Sequence, residues 1–315
     1  MVRRIVFPKS LLRYTTALKN HKRRNTSRKG IVSSCPAMLQ RIPLSRPDEA
    51  IKAIEEDGGV ILGDFTSLND LDRVHQDEWQ ARYKGRVYCS LLYGHSETAR
   101  EKWILDSGLQ HIVNHFLHTS NSTDVDPNSP IGRRTDSILS QATSIATLEG
   151  GLAQALHRDD SIWQHVHPNQ EESGYRLGTD LGMGLLVPGV NTTMANGATL
   201  FVPGSHLWAD ERQASESETV AVEMQRGEAL LFLSSAIHAG GGNMTREPRL
   251  LHAIFFCRSW VRPEANDFAY YTIEKVESWS AEAQRFAGYR TDKMLGICDD
   301  GDPIDALRIR QEKRL

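Results

Sequence analysis

Gln154-Ala155-Leu156-His157-Arg158-Asp159-Asp160 closes an apolar, glycine-containing run, Ile145-Ala146-Thr147-Leu148-Glu149-Gly150-Gly151-Leu152. On a β-strand, residues two apart face the same side. His157 and Asp159 are therefore predicted to aim an imidazole and a carboxylate at one point, as two ligands of a single metal ion must, with Asp160 turned away. A His-x-Asp tripeptide alone is more often a surface pair or a satisfied core group. Its weight here comes from the residues downstream.

Gly227-Glu228-Ala229-Leu230-Leu231-Phe232-Leu233 reads as a strand, and Ile237-His238-Ala239-Gly240-Gly241-Gly242-Asn243 follows it. Arg249 stands eleven residues beyond His238, at the head of the apolar run Leu250 to Phe256. One His and one Asp from a single strand, a second His from a later strand and coordination positions left open make up a 2-His-1-carboxylate facial triad, the donor set of non-haem Fe(II) oxygenases. A guanidinium inside an apolar strand needs a partner, because a buried charge alone is costly, and its planar fork suits a carboxylate. His157, Asp159 and His238 are the candidate metal ligands; Arg249 is the candidate anchor for a 2-oxo acid. The bland reading of each His, a core imidazole bonded to backbone, does not explain why all four residues occur in this order.

Three motifs, QALHRDD at 154–160, NGATLFVPGSH at 196–206 and HAGGGN at 238–243 with Arg249 after it, resemble the phytanoyl-CoA dioxygenase-type branch of the Fe(II)/2-oxoglutarate-dependent oxygenases. Within that branch they are most similar to fungal members that tailor specialised metabolites. Weaker similarity covers 55–65 and 284–299. The resemblance implies a mainly β (α+β) fold, a double-stranded β-helix or jelly-roll core with flanking N-terminal and C-terminal helices. It implies Fe(II) held by His157, Asp159 and His238, with 2-oxoglutarate and O2 as co-substrates. Arg249 would bind the far carboxylate of 2-oxoglutarate, and Gln154 and Thr199 would lie against the same molecule. Gln154 precedes His157 by three, an offset that would turn it away on an unbroken strand, so its role requires a β-bulge.

The implied activity is hydroxylation, desaturation, epoxidation or a related C–H oxidation of a hydrophobic polyketide, terpenoid or alkaloid intermediate. Halogenating relatives replace the carboxylate with a small residue, so Asp159 argues against halogenation. A phytanoyl-CoA-type acyl-CoA hydroxylase is the competing reading. A catalytically silent barrel serving as a partner subunit is the alternative of another class, against which the intact triad stands. The resemblance also implies a homodimer in which the region around Ala287 to Asp299 closes a neighbour's pocket.

Length and composition set the outer bounds. A chain of 315 residues, 39% hydrophobic and 24% charged, can bury one sizeable core. No apolar run approaches the ~20 residues that cross a bilayer. Cys35, Cys89, Cys257 and Cys298 match no zinc spacing and read as reduced thiols. The first 47 residues hold 12 Lys or Arg and no Asp or Glu, so a net charge of -3 leaves -15 on the rest. That segment, 1–47, is expected to be a basic disordered extension or a targeting peptide of mitochondrial type, ahead of a single domain over 48–315. Its densest basic cluster, Lys19 to Lys29, carries no interleaved aromatics, which speaks against nucleic acid. Cytoplasm is the expected location, ahead of mitochondrion and peroxisome; Lys313-Arg314-Leu315 only faintly resembles a peroxisomal address.

Ser45-Arg46-Pro47-Asp48-Glu49 opens a helix with a cap-type residue, an early Pro and acids in the first turn, and Gly58-Gly59 closes it. Val60-Ile61-Leu62 reads as a strand. Further helices are predicted at about Leu68 to Tyr83 and Ser107 to Leu117, the latter with Leu109, Ile112, Val113, Phe116 and Leu117 on one stripe. Residues 119–137 read as an irregular polar loop. From Ile138 onward, short strands alternate with turns: Leu181 to Pro188, Thr199 to Val202, Thr219 to Met224, Leu230 to Leu233 and Leu250 to Phe256. His165 and His167 read as entrance-loop residues, His206 and His252 as structural, and Gly240-Gly241-Gly242 as a tight turn beside the metal.

Overall fold

Strands buried on both sides govern this molecule. The computed structural model describes residues 38–76, 81–83, 86–120, 134–292, 295–297, 303 and 305, all within one compact unit, Pro36–Leu315. The basic segment expected at the N-terminus lies outside the described residues up to position 37. In chain order the strands are β1 (Arg41–Pro43), β2 (Gly59–Gly63), β3 (Ala81–Tyr83), β4 (Arg86–Ser90), β5 (Thr119–Ser120), β6 (Arg134–Thr135), β7 (Ile138–Thr147), β8 (Gly182–Pro188), β9 (Thr199–Phe201), β10 (Val220–Val222), β11 (Ala229–Leu233), β12 (His238–Gly240) and β13 (Arg249–Cys257). The helices are α1 (Pro47–Asp57), α2 (Leu68–Gln76), α3 (Leu92–His95), α4 (Ser107–Leu117), α5 (Asp267–Tyr270), α6 (Ile273–Glu277) and α7 (Ala281–Phe286).

Eight strands make one sheet in the order β1-β2-β11-β8-β13-β7-β4-β3, and three make a second, β10-β9-β12. The alternation of side chains along each strand divides the core between two neighbours. Val60 and Leu62, Met183, Leu185 and Val187, Leu231 and Leu233, and Ile254 and Phe256 join one apolar cluster with α1 and α4. The intervening residues Ile61, Leu186, Leu230, Phe232, Leu251 and Ala253 pack with Phe201 of β9 and Val222 of β10. The large sheet thus has helices on one face and the small sheet on the other. Burial on both faces makes Gly182–Pro188 an unbroken buried run.

Several local expectations hold for the reasons given. Pro47 sits in the first turn of α1 with Asp48 and Glu49, and Gly58 closes the helix in the left-handed conformation at φ 79°. The N-cap is Arg46, whose side chain makes no capping bond. In α4 the predicted stripe is buried, and the Asp106 carboxylate caps the helix by accepting from the Gly108 and Leu109 N–H groups.

Other expectations are corrected. Arg41–Pro43 does not belong to an irregular extension: it pairs in parallel with β2 as an edge strand, where Pro43 is tolerated because an edge leaves ladder donors unneeded. Of the helix expected over Leu68 to Tyr83, Leu68–Gln76 forms and Ala81–Tyr83 pairs with β4 instead, with 77–80 outside the described residues. Thr119–Ser120 and Arg134–Thr135 form a short antiparallel pair at the ends of the predicted loop; 121–133 lie outside the described residues.

Candidate metal centre

His157 and His238 are opposite one another in an antiparallel bridge, joined by the His157 N–H to the His238 carbonyl at 2.9 Å and the reverse bond at 3.0 Å. Asp159 lies beyond the strand pairing, at the first position of a 3-10 turn, Asp159–Trp163, with its N–H donating to Ser234 O at 3.0 Å. The prediction that His157 and Asp159 converge holds, while the extended strand offered as its cause does not continue through Asp159. The turn brings the carboxylate in.

The imidazole tautomers follow from the backbone. His157 Nδ1 lies 2.8 Å from Ala155 O, and His238 Nδ1 lies 3.1 Å from Ala236 O. A carbonyl can only accept, so each Nδ1 carries a proton and each neutral ring presents the lone pair of Nε2. Those Nε2 atoms face Asp159, 3.4 Å from Oδ1 for His157 and 3.6 Å from Oδ2 for His238. Asp159 Oδ2 is buried without a hydrogen-bond partner among the described residues. Two nitrogen lone pairs turned toward a carboxylate repel unless a cation sits between them, and the candidate ligand atoms all lie within 4.8 Å of one another. The donor set suits a divalent metal with open positions. Burial lowers His238, which favours the neutral imidazole a metal needs.

The bulge required for Gln154 is present. Gln154 N–H donates to Gly240 O at 2.9 Å, so the three-residue step from Gln154 to His157 faces the two-residue step from His238 to Gly240. One extra residue turns Gln154 to the side of His157. The Gln154 amide oxygen then accepts from the Gly240 N–H at 2.8 Å, and both Gln154 and His157 line the same cavity. Thr199 is buried and pairs with that same Gly240. Arg249 is 3% exposed; it pairs with Thr147 of β7 and shares a strand face with Leu251, Ala253 and Phe255. Phe255 lines the cavity, whereas Thr199 and Arg249 are not among its lining residues.

The cavity measures about 390 Å³. Its walls come from β4 (Tyr88, Ser90), from β7 (Gln141, Thr143, Ile145), from the turn carrying Ile162 and Trp163, and from Phe255 and Glu264. The contribution of β4 and β7 was not foreseen, because an alternating strand looks the same whether it faces core or cavity.

A second His–Asp cluster lies behind the first. Asp160 is fully buried, and its Oδ2 accepts from His165 Nδ1 at 2.9 Å and His167 Nε2 at 3.0 Å. His167 Nδ1 lies 2.7 Å from Asp210, which also receives Arg158 at 2.8 Å. His167 is therefore not the entrance-loop residue that Pro168 and the polar run after it suggested, but a buried link between two carboxylates. Burial opposes its charge; bonds to Asp160 and Asp210 outweigh that and raise its pKa. His206 and His252 are buried, bonded to Glu55 O and Ser144 respectively, in the structural roles expected of them.

Gly240-Gly241-Gly242 keeps negative φ throughout. These glycines answer close approach rather than an unusual turn: a Cβ on Gly241 would lie 2.5 Å from Ala198 O, and one on Gly197, at φ 93°, 2.7 Å from Gly241 O.

The phytanoyl-CoA dioxygenase family model matches residues 45–251. The chain belongs to that family. By class it is a non-haem iron, 2-oxoglutarate-dependent dioxygenase. It is 32% identical over 290 residues to dioxygenase swnH1 of Arthroderma benhamiae, covering 86% of this chain and 92% of that protein. Dioxygenase peniF of Penicillium patulum is 35% identical over 263 residues, covering 79% and 85%. Among solved structures, HygX of Streptomyces hygroscopicus, crystallised with nickel, 2-oxoglutarate and hygromycin B, aligns with a TM-score of 0.51 at 14% identity over 68% of this chain and 88% of that one. That likeness concerns the fold.

Proposed function

We propose that this dioxygenase oxidises a C–H bond of a small organic molecule in fungal-type specialised metabolism, on a double-stranded β-helix core. The observation that carries the reading is the pair of Nδ1-protonated imidazoles turning their Nε2 lone pairs onto the Asp159 carboxylate, whose buried Oδ2 has no hydrogen-bond partner among the described residues. His157, Asp159 and His238 would hold Fe(II), which with 2-oxoglutarate supplies O2-dependent oxidation. Arg249 would take the far carboxylate of 2-oxoglutarate as a bidentate fork; Gln154 and Thr199 would border it on the small-sheet side. Ile145, Ile162, Trp163 and Phe255 offer an apolar wall to the substrate, and the hydroxyl and amide groups opposite would orient it.

That mixed lining, in a cavity near the lower end of the ~300–1,000 Å³ common for ligand sites, favours a compact amphiphilic molecule over a long acyl chain. A homodimer belongs to the same proposal, and light scattering would then give twice the 35.4 kDa chain mass. The test of function is turnover with Fe(II), 2-oxoglutarate, O2 and a panel of metabolites. Substrate-dependent succinate formation, with a product heavier by one oxygen atom or lighter by one pair of hydrogens, supports the reading. Succinate formation indifferent to every panel member and abolished in no triad variant contradicts it.

A further inference from the structure

One wall of the cavity carries a charge that metal binding does not use. Glu264 lies on the segment after β13 and lines the cavity with His157 and Asp159 of the triad. Its backbone is fastened to the start of β7: the Glu264 N–H donates to Ser140 Oγ at 3.2 Å and the Ala265 N–H to Ser140 O at 2.9 Å. Gln141, another lining residue, donates its amide to Glu264 Oε1 at 3.3 Å. The carboxylate is thus held on a fixed wall.

The other charged side chains of the lining are accounted for. Asp159 faces the two triad imidazoles. The Arg158 guanidinium is committed to Asp210 at 2.8 Å, Trp208 O at 2.7 Å and Ser205 O at 3.1 Å. With a ferrous ion in place, its charge and that of Arg249 balance Asp159 and the two carboxylates of the co-substrate, so Glu264 leaves the site with one negative charge in excess. Glu264 is an exposed residue, and the partner of its carboxylate among the described residues is the Gln141 amide rather than a cation. Aromatic surface stands nearby. Trp163 lines the cavity, and its indole N–H donates to Arg262 O at 2.9 Å, which fixes the ring to the segment that carries Glu264. Tyr88 borders the same space. A carboxylate next to aromatic rings is the chemistry that holds an organic cation.

We propose that Glu264 receives a basic nitrogen of the substrate, so that the molecule oxidised at this centre is a small amine bound as its ammonium against Trp163. The ammonium supplies the positive charge the wall lacks, and the carbon to be oxidised is placed by the distance from Glu264 to the triad. Oxidation of the bound amine rests on the dioxygenase reading; its binding does not.

The test uses a matched pair of probes on the full chain. Tetrahydroisoquinoline is cationic at neutral pH, and isochroman is its neutral oxygen counterpart. Ligand-observed saturation-transfer NMR is run with wild type, Glu264→Gln and Glu264→Asp, with Mn(II) at the triad as a relaxation probe and with Zn(II) as the diamagnetic control. The expected result is at least a tenfold preference for the amine in wild type, with its signals broadened by Mn(II). Glu264→Gln should bring the amine down to the level of isochroman, and Glu264→Asp should retain part of the preference. Equal binding of the two probes to wild type, or an undiminished preference in Glu264→Gln, overturns the proposal. The absorption that Fe(II) and 2-oxoglutarate give together without O2, measured in the same proteins, reports on the dioxygenase reading separately: its absence would sink that reading while the NMR comparison still decides the role of Glu264.

Discussion

At the scale of single residues, a metal-binding imidazole is defined by what its other nitrogen does. His157 and His238 each spend Nδ1 on a carbonyl two residues earlier, a bond that depends on local backbone shape. The spacing of His157 and Asp159 made the convergence legible in the sequence, and Arg249 could be singled out because an arginine heading an apolar strand needs a partner. Nothing local announced Asp160, His167 and Asp210 as one network, since Asp210 joins from a loop remote in sequence. Glu264 was equally silent, a single acid on a connecting segment. For Arg249, Gln in its place removes the charge and the fork. Charge-assisted bonds are worth about 1.5–3 kcal/mol each, so Arg249→Gln is expected to weaken 2-oxoglutarate binding by roughly 10- to 100-fold, measured by titration without O2. Arg249→Lys should fall between, keeping the charge without the fork. Unchanged affinity in both would remove Arg249 from the co-substrate site.

At the scale of elements, periodicity identified strands and helices well where one face is buried. It failed where tertiary pairing took over: Ala81–Tyr83 is claimed by β4 rather than by the helix before it. The β-bulge at Gln154 could be stated only as a condition, because the sequence gives no sign of which strand carries the extra residue. The small sheet and the Gly151 to Gln154 segment meet around Gly241 and Gly242, whose missing Cβ atoms allow backbone to touch backbone. Overpacking of this kind costs about 1–3 kcal/mol, and here the obstructing atom is the Ala198 carbonyl oxygen, which cannot rotate away. Gly241→Ala should therefore lower stability by about that amount in urea unfolding and weaken metal binding with it. A variant as stable as wild type would mean that the two segments separate freely.

At the scale of the whole molecule, charge links the turn bearing Asp159 to the loop bearing Asp210. His167 has a raised pKa, its burial opposing and its bonds to Asp160 and Asp210 prevailing. A histidine with a pKa raised on folding contributes its full stability below the unfolded value of about 6.5 and loses it as pH climbs through the folded value. The gap in melting temperature between wild type and His167→Gln should be widest on the acid side of neutrality and should narrow as pH rises; a gap that does not depend on pH would mean that His167 stays neutral.

The central claim is that three side chains from separate elements meet on one ferrous ion beside a bound 2-oxo acid. Titrating the full chain with Fe(II) and 2-oxoglutarate without O2, and following visible absorption, tests it directly. A weak metal-to-ligand charge-transfer band should saturate at one iron per chain in wild type and be lost in His238→Ala. A wild-type chain that develops no such band, or a His238→Ala chain that develops it fully, would contradict the account.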